Sequence, residues 1–147
     1  MKPEREILHV DDDPQITRLI AKRLEPYGYQ VVSLNDPSEA IGELMHSNRR
    51  VVLLDIDMPG MNGLEVLKEI KKYDGGIQVI MLTGLVTVSS VLESFRLGAE
   101  AIFFKPLEDC EELHETLERS FQKIDQWWEA LHDLSRRKRG ERVGIIG

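Results

Sequence analysis

Short apolar runs of β type alternate along this chain with stretches whose apolar residues recur at helical spacing, the pattern of a parallel sheet covered by helices on both faces. Ile7 to Val10 predicts a first strand, and the helix after it opens near Pro14 and carries Ile16, Leu19, Ile20 and Leu24. Tyr27-Gly28-Tyr29 breaks that helix before a second strand, Gln30 to Leu34. Asp36-Pro37-Ser38 reads as a cap for a helix that buries Ala40, Ile41, Leu44 and Met45. Val51 to Leu54 is the third strand, and its loop leads to a helix with Leu64, Leu67 and Ile70 on one face, ended by Gly75-Gly76. A fourth strand from Gln78 to Leu82, a helix from Thr87 to Leu97 stopped by Gly98, and a fifth strand from Ala101 to Phe104 follow. A final helix starts just after Pro106. The fold class is therefore α/β, a doubly wound five-stranded parallel sheet built as one (βα)5 unit with an extended C-terminal helix.

A chain of 147 residues leaves room for one ordinary domain and a short appendage. Its formal charge of -7 argues against a general nucleic-acid binder, but the charge is uneven. Arg136 to Arg139 and Arg142, against Glu141, make the tail about +4, which leaves roughly -11 on everything before it. The opening MKPEREILHV has charges where a signal peptide needs an apolar core, and no apolar run approaches the ~18 residues of a membrane span. A cytoplasmic protein without membrane insertion is expected. The single cysteine, Cys110, excludes an intramolecular disulfide and a Cys-based zinc cluster, and suits a small buried side chain.

In an open doubly wound sheet, ligands bind outside the carboxyl ends of the strands. Four of the five strand ends carry polar groups: Asp11-Asp12-Asp13 after the first, Asp55 and Asp57 after the third, Thr83-Gly84 after the fourth and Lys105-Pro106 after the fifth. Carboxylates brought together there repel one another unless a cation neutralises them, and oxygen ligands without His or Cys favour Mg2+ or Mn2+ over zinc. The ammonium of Lys105 and the hydroxyl of Thr83 suit phosphoryl oxygens. Asp13 also reads as an ordinary helix cap, and His9 and His114 as packing or surface residues without metal or catalytic spacing.

HVDDDP, LLDIDMPGMNG, MLTG and FFKP, each after a strand, resemble the receiver domains of two-component response regulators across about residues 5 to 123. The resemblance implies a CheY-like, flavodoxin-like fold. It implies that Asp55 accepts a phosphoryl group from a phosphohistidine on a sensor histidine kinase or phosphotransfer protein. Asp11, Asp12, Asp55 and the backbone carbonyl of Asp57 would hold Mg2+ (or Mn2+), with Asp11 acting partly through water. Thr83 and Lys105 would bind the oxygens of the phosphorylated product, and a cis Lys105-Pro106 bond is expected. On this reading the chain is a phosphoacceptor rather than an enzyme. One departure is Ile102, three residues before the Lys, where the family usually has an aromatic that moves with the Thr.

LLDIDMPG also resembles the D-x-D start of haloacid-dehalogenase-like Mg-dependent phosphatases. Their second acidic pair follows the Lys, whereas here the acidic cluster is N-terminal. No helix-turn-helix or other output motif follows residue 123. Direct DNA binding is thus not expected, and the output is contact with a downstream protein, unless the chain is the receiver part of a longer regulator.

The organisation read from sequence is a receiver over residues 1–123 and a C-terminal helix extension with a basic tail over 124–147. Glu108 to about Arg139 contains no Pro or Gly and predicts one helix of about 32 residues, roughly 48 Å long and longer than the domain needs. Leu117, Ile124 and Leu131 fall at one heptad seam position and Phe121 and Trp128 at the other, interrupted by His114 and Ser135. A parallel homodimer through this helix, or a helical linker to an effector, is expected. The alternative is a helix that folds back and packs its tryptophans on the protein's own surface.

Overall fold

The computed structural model describes residues 5–85 and 87–142, with side chains to residue 139. Strands β1 (Glu6–Val10), β2 (Gln30–Leu34), β3 (Val51–Leu54), β4 (Gln78–Thr83) and β5 (Ala101–Phe104) alternate with helices α1 (Pro14–Leu24), α2 (Ala40–Met45), α3 (Gly63–Tyr73), α4 (Val88–Arg96) and α5 (Glu111–Arg142). Every strand pair is parallel, in the order β2-β1-β3-β4-β5. The order reverses between β1 and β3, which opens a crevice at their carboxyl ends.

Strand alternation sorts the core into two layers. Leu8, Val10, Val52, Leu54, Val79 and Met81 face α2 and α3 on one side. Ile7, Val51, Leu53, Ile80 and Leu82 face α1 and α5 on the other. Both faces are covered, so β3 and β4 are buried along their whole length, which is why their sequences read as continuous apolar runs. Asp13 caps α1 by accepting the Gln15 N–H at 2.9 Å, and Asn62 caps α3 in the same way through Leu64. Met45, expected to be buried, is 59% exposed: α2 has six residues and ends there, beyond the edge of the sheet-facing stripe. In α4 the inward face carries Ser90 and Ser94, while Val88, Leu92 and Phe95 face solvent.

The last helix begins at Glu111, three residues later than the sequence predicts. Arg23 donates to the Leu107 carbonyl at 2.7 Å and the Glu108 carbonyl at 3.0 Å, and Asp109 accepts the Glu111 N–H at 3.1 Å, so the helical ladder starts only after them. It then runs unbroken for 32 residues and does not fold back. Leu113, Leu117, Phe121 and Ile124 bury its first half against the sheet, at about 1.5–3 kcal/mol for each side chain. The Tyr29 hydroxyl donates to Glu118 at 2.6 Å, and Arg5 lies 4.8 Å from the centre of the Phe121 ring. Beyond Ile124 the Trp127 ring lies over Gly76, so that a Cβ there would meet it at 3.5 Å.

Candidate functional site

The parallel ladders extend one residue past β1 and β3. The Asp11 N–H donates to the Leu34 carbonyl at 3.1 Å and the Asp55 N–H to the Val10 carbonyl at 3.0 Å, which sets the two aspartates side by side at the switch point. Asp11 and Asp55 are buried and Asp12 half-buried, and one carboxylate oxygen from each lies within 4.8 Å of the other two. Lys105 crosses from the end of β5 to reach Asp11 Oδ2 at 2.5 Å and Asp55 Oδ2 at 3.2 Å. The other Asp11 oxygen accepts the Asp13 N–H at 3.0 Å, whereas Asp55 Oδ1 is buried and has no hydrogen-bond partner among the described residues. A buried anionic oxygen without a donor is costly unless something else fills that role. The oxygen-only donor set of this cluster fits a hard divalent cation such as Mg2+ or Mn2+.

The charges answer one another. Burial works against the Lys105 ammonium, but the hydrogen bond and charge of Asp11, reinforced by Asp55, outweigh it and raise its pKa. Burial raises the Asp12 pKa, and the neighbouring charges of Asp11 and Asp55 raise it further. Beside them, both ring nitrogens of the fully buried His9 lack a partner among the described residues. Burial, aided by the Lys105 charge and opposed by Asp55, drives its pKa down to about 4, so at neutral pH it is an uncharged wall of the site.

Thr83 is fully buried at the end of β4; its hydroxyl accepts the Leu85 N–H at 3.1 Å and its carbonyl accepts the Lys105 N–H at 2.9 Å. The backbone thus ties the two residues expected to face phosphoryl oxygens. The Lys105-Pro106 bond is cis. Asp57 is exposed on the loop and stands outside the three-carboxylate cluster. Ile102 is half-buried and packs on the α3 side, while Phe103 packs on the α1 and α5 side.

Two supporting residues, Asn35 and Gly63, have no counterpart in the sequence reading, and a third, His9, is read there only as a packing or surface residue. His9 lines the buried side. Asn35 donates to the Asp11 carbonyl at 2.9 Å and to the Thr17 hydroxyl at 3.1 Å, fixing the turn that presents the acidic pair. Gly63, the first residue of α3, lies against the Asp55 backbone, and its N–H donates to the Ile56 carbonyl at 2.8 Å.

Because burial, and then the charges of Asp11 and Asp55, raise the Asp12 pKa, ionised Asp12 destabilises the fold. The penalty is absent below the ordinary aspartate value of 3.8, grows as pH rises and is complete above the raised folded value. Asp12→Asn is therefore expected to be more stable than wild type at pH 7, with the advantage vanishing as pH falls to the ordinary aspartate value. Millimolar Mg2+ should stabilise wild type more than the variant. Urea unfolding at the two pH values, with and without Mg2+, measures both effects.

Fold and site together are those of a receiver-type doubly wound domain with an acidic cluster at its switch point. The family model of the response regulator receiver domain matches residues 7–118, and the chain belongs to that family. It is 32% identical over 123 residues to a probable transcriptional regulator, ycf27, of Porphyridium aerugineum, covering 84% of this chain and 50% of that one. The chain spans about half the length of the curated relatives it matches. A CheY-like receiver domain protein from Methanospirillum hungatei JF-1 superposes with a TM-score of 0.78 at 28% identity, over 84% of this chain and 98% of that one. The Thermotoga maritima response regulator TrrA, solved in complex with Mg(2+)-BeF, gives 0.71 at 34% identity over 82% and 99%. Among the described residues, no helix is long and apolar enough to cross a membrane.

Proposed function

We propose that Asp55 accepts a phosphoryl group from the phosphohistidine of a sensor histidine kinase or phosphotransfer protein in a Mg2+-dependent reaction, and that phosphorylation alters the contacts this domain makes with other proteins. The observation that carries this reading is the buried, partnerless Asp55 Oδ1 at the strand end shared with Asp11, Asp12 and Lys105. When bound, a divalent ion held by Asp12 and Asp55, with Asp11 partly through water and the Asp57 carbonyl, supplies the charge neutralisation that lets two anions meet. Asp55 attacks phosphorus, a P–O bond forms as the P–N bond breaks, and imidazole leaves with a proton. Lys105 shifts from Asp11 towards the incoming oxygens, and the Thr83 hydroxyl donates to another.

On this reading the protein is a phosphoacceptor that assists its own phosphorylation, working in the cytoplasm. Family membership favours it over the phosphatase alternative. Relatives of which this chain spans about half are named as probable transcriptional regulators, which suits a receiver acting on an output unit through protein contacts and not by touching DNA itself. Intact-mass analysis after incubation with phosphoramidate tests the chemistry. One phosphoryl group is expected with Mg2+ or Mn2+, mapping to the peptide that contains Asp55, and none with EDTA. Metal-independent labelling, or a label on a histidine, overturns it.

A further inference from the structure

The ladder between β1 and β2 ends in a bond that the backbone does not make. The Gln30 N–H opens it on the Arg5 carbonyl at 2.9 Å, and the Asp11 N–H makes the last backbone rung on the Leu34 carbonyl at 3.1 Å. In this register the next donor would be the Asp36 N–H, on the Asp11 carbonyl. The chain leaves the sheet there instead, because Asp36 caps the 3-10 turn Pro37–Glu39, its carboxylate accepting the Ser38 N–H at 3.0 Å. Among the described residues no backbone N–H reaches the Asp11 carbonyl. The side-chain amide of Asn35 takes that place, donating to it at 2.9 Å.

An amide NH2 carries two hydrogens, and Asn35 uses both. The second goes to the hydroxyl of Thr17 at 3.1 Å, a buried residue of α1 whose hydroxyl in turn donates to the Pro14 carbonyl at 3.2 Å. One side chain thus braces both ends of the turn that carries Asp11 and Asp12. The Asp11 carbonyl and the Asp12 N–H share one planar peptide, so holding the first sets the plane from which Asp12 leaves. One carboxylate oxygen from each of Asp11, Asp12 and Asp55 lies within 4.8 Å of the other two. Like charges this close drive one another apart, and Asp12, half-buried on the turn, has the most room to move away.

We propose that Asn35 is a positioning residue for the divalent cation: by holding the Asp11–Asp12 peptide it keeps the Asp12 carboxylate beside those of Asp11 and Asp55, and so sets the affinity for Mg2+ or Mn2+. The inference rests on reading the acidic cluster as a metal site. Groups that orient metal ligands without touching the metal commonly govern its affinity by about ten- to a hundredfold. Without Asn35 the turn visits arrangements in which the Asp12 carboxylate points away, and the apparent affinity falls by the fraction of time in which the ligating one is populated. An aspartate of the same shape would not serve, because it sets an anionic oxygen against the Asp11 carbonyl oxygen. Asn35 is exposed, so water replaces part of the lost bond and the effect falls at the low end, about tenfold.

Titration of the full chain with Mn2+ alone, reading free Mn2+ by its EPR signal and without any phosphoryl donor, tests this apart from the phosphorylation chemistry. Asp12→Asn supplies the background of unspecific binding, and the wild type is expected to bind one Mn2+ well above it. Asn35→Ala should bind that ion about tenfold more weakly while its thermal melt without metal stays close to wild type, since the exposed side chain leaves the core untouched. Thr17→Val removes the buried branch of the brace but leaves the bond to the Asp11 carbonyl. It should melt lower and bind Mn2+ like the wild type, which separates loss of stability from loss of metal positioning. Equal affinity in Asn35→Ala and wild type would overturn the inference, as would an equal loss in Thr17→Val. A wild type that binds no better than Asp12→Asn would overturn the metal reading itself and this inference with it.

Discussion

Asp55→Asn is expected to take up no phosphoryl group from phosphoramidate and Mg2+ under conditions that label the wild type to completion, while melting within a few degrees of it. The side-chain amide keeps one carbonyl oxygen for Lys105, which lies 3.2 Å from Asp55 Oδ2, and replaces the other oxygen by an NH2 group with no nucleophilic lone pair. Of the site carboxylates, Asp55 alone combines burial at a strand end with an oxygen that no donor among the described residues holds. The two oxygens of Asp11 are taken up by Lys105 and the Asp13 N–H, and Asp57 is exposed outside the cluster.

The fold should survive because two changes oppose one another. The variant loses the Lys105 ion pair with Asp55 but also loses a negative charge facing Asp11 and Asp12, and the closer Lys105–Asp11 pair at 2.5 Å remains. Intact mass and a thermal melt on the same sample separate lost chemistry from lost structure. Asp57→Asn provides the contrast and should still be labelled. Uptake by Asp55→Asn to the wild-type extent would remove Asp55 from the reaction.

The strands were legible because local chemistry decides them. Val51 to Leu54, Gln30 to Leu34 and Ala101 to Phe104 appear with the bounds their sequences suggest: β3 is buried on both faces, and the half-buried edge strands β2 and β5 still send apolar residues to both layers of the core. The site followed from topology: once five parallel strands are counted, Asp11, Asp12, Asp55, Thr83 and Lys105 must all stand at one edge. What escaped was set by contacts between distant segments. The late start of α5 depends on Arg23, more than eighty residues earlier, taking the carbonyls of Leu107 and Glu108. His9 alternates with Leu8 and Val10 like any strand residue, and its depressed pKa comes first from burial in the assembled fold and then from Lys105, which arrives beside it from the far strand. The exposure of Met45 depends on where a six-residue helix ends over the sheet. Gly63 gave only a faint signal, a glycine directly after the Asn62 cap, where many other residues would serve a helix equally well.

That glycine is where a single methyl group should do the most structural damage. A Cβ at Gly63 would stand 1.8 Å from the Asp55 carbonyl oxygen and 2.7 Å from both the Asp55 carbonyl carbon and the Ile56 Cα. All three are backbone atoms at the end of a fully buried strand, so no side-chain rotation relieves the overlap. Either α3 must retreat, breaking the 2.8 Å hydrogen bond from the Gly63 N–H to the Ile56 carbonyl, or the Asp55 peptide must turn and carry the carboxylate away from Asp11 and Asp12. Gly63→Ala is expected to lose about 3 kcal/mol, near the upper end for overpacking, and to melt roughly 10 °C lower. The folded fraction should also accept a phosphoryl group more slowly, because a shift of about 1 Å in a nucleophile can cost about a hundredfold in rate. Gly42→Ala in α2 controls for the generic effect of the exchange: a Cβ there meets nothing within 4 Å, and a helical alanine should gain about 0.5–1 kcal/mol. Urea melts of both variants, with labelling rates measured at a temperature where each is folded, decide the matter. A Gly63→Ala protein as stable as wild type and labelled as fast would show that α3 does not brace Asp55 against the site.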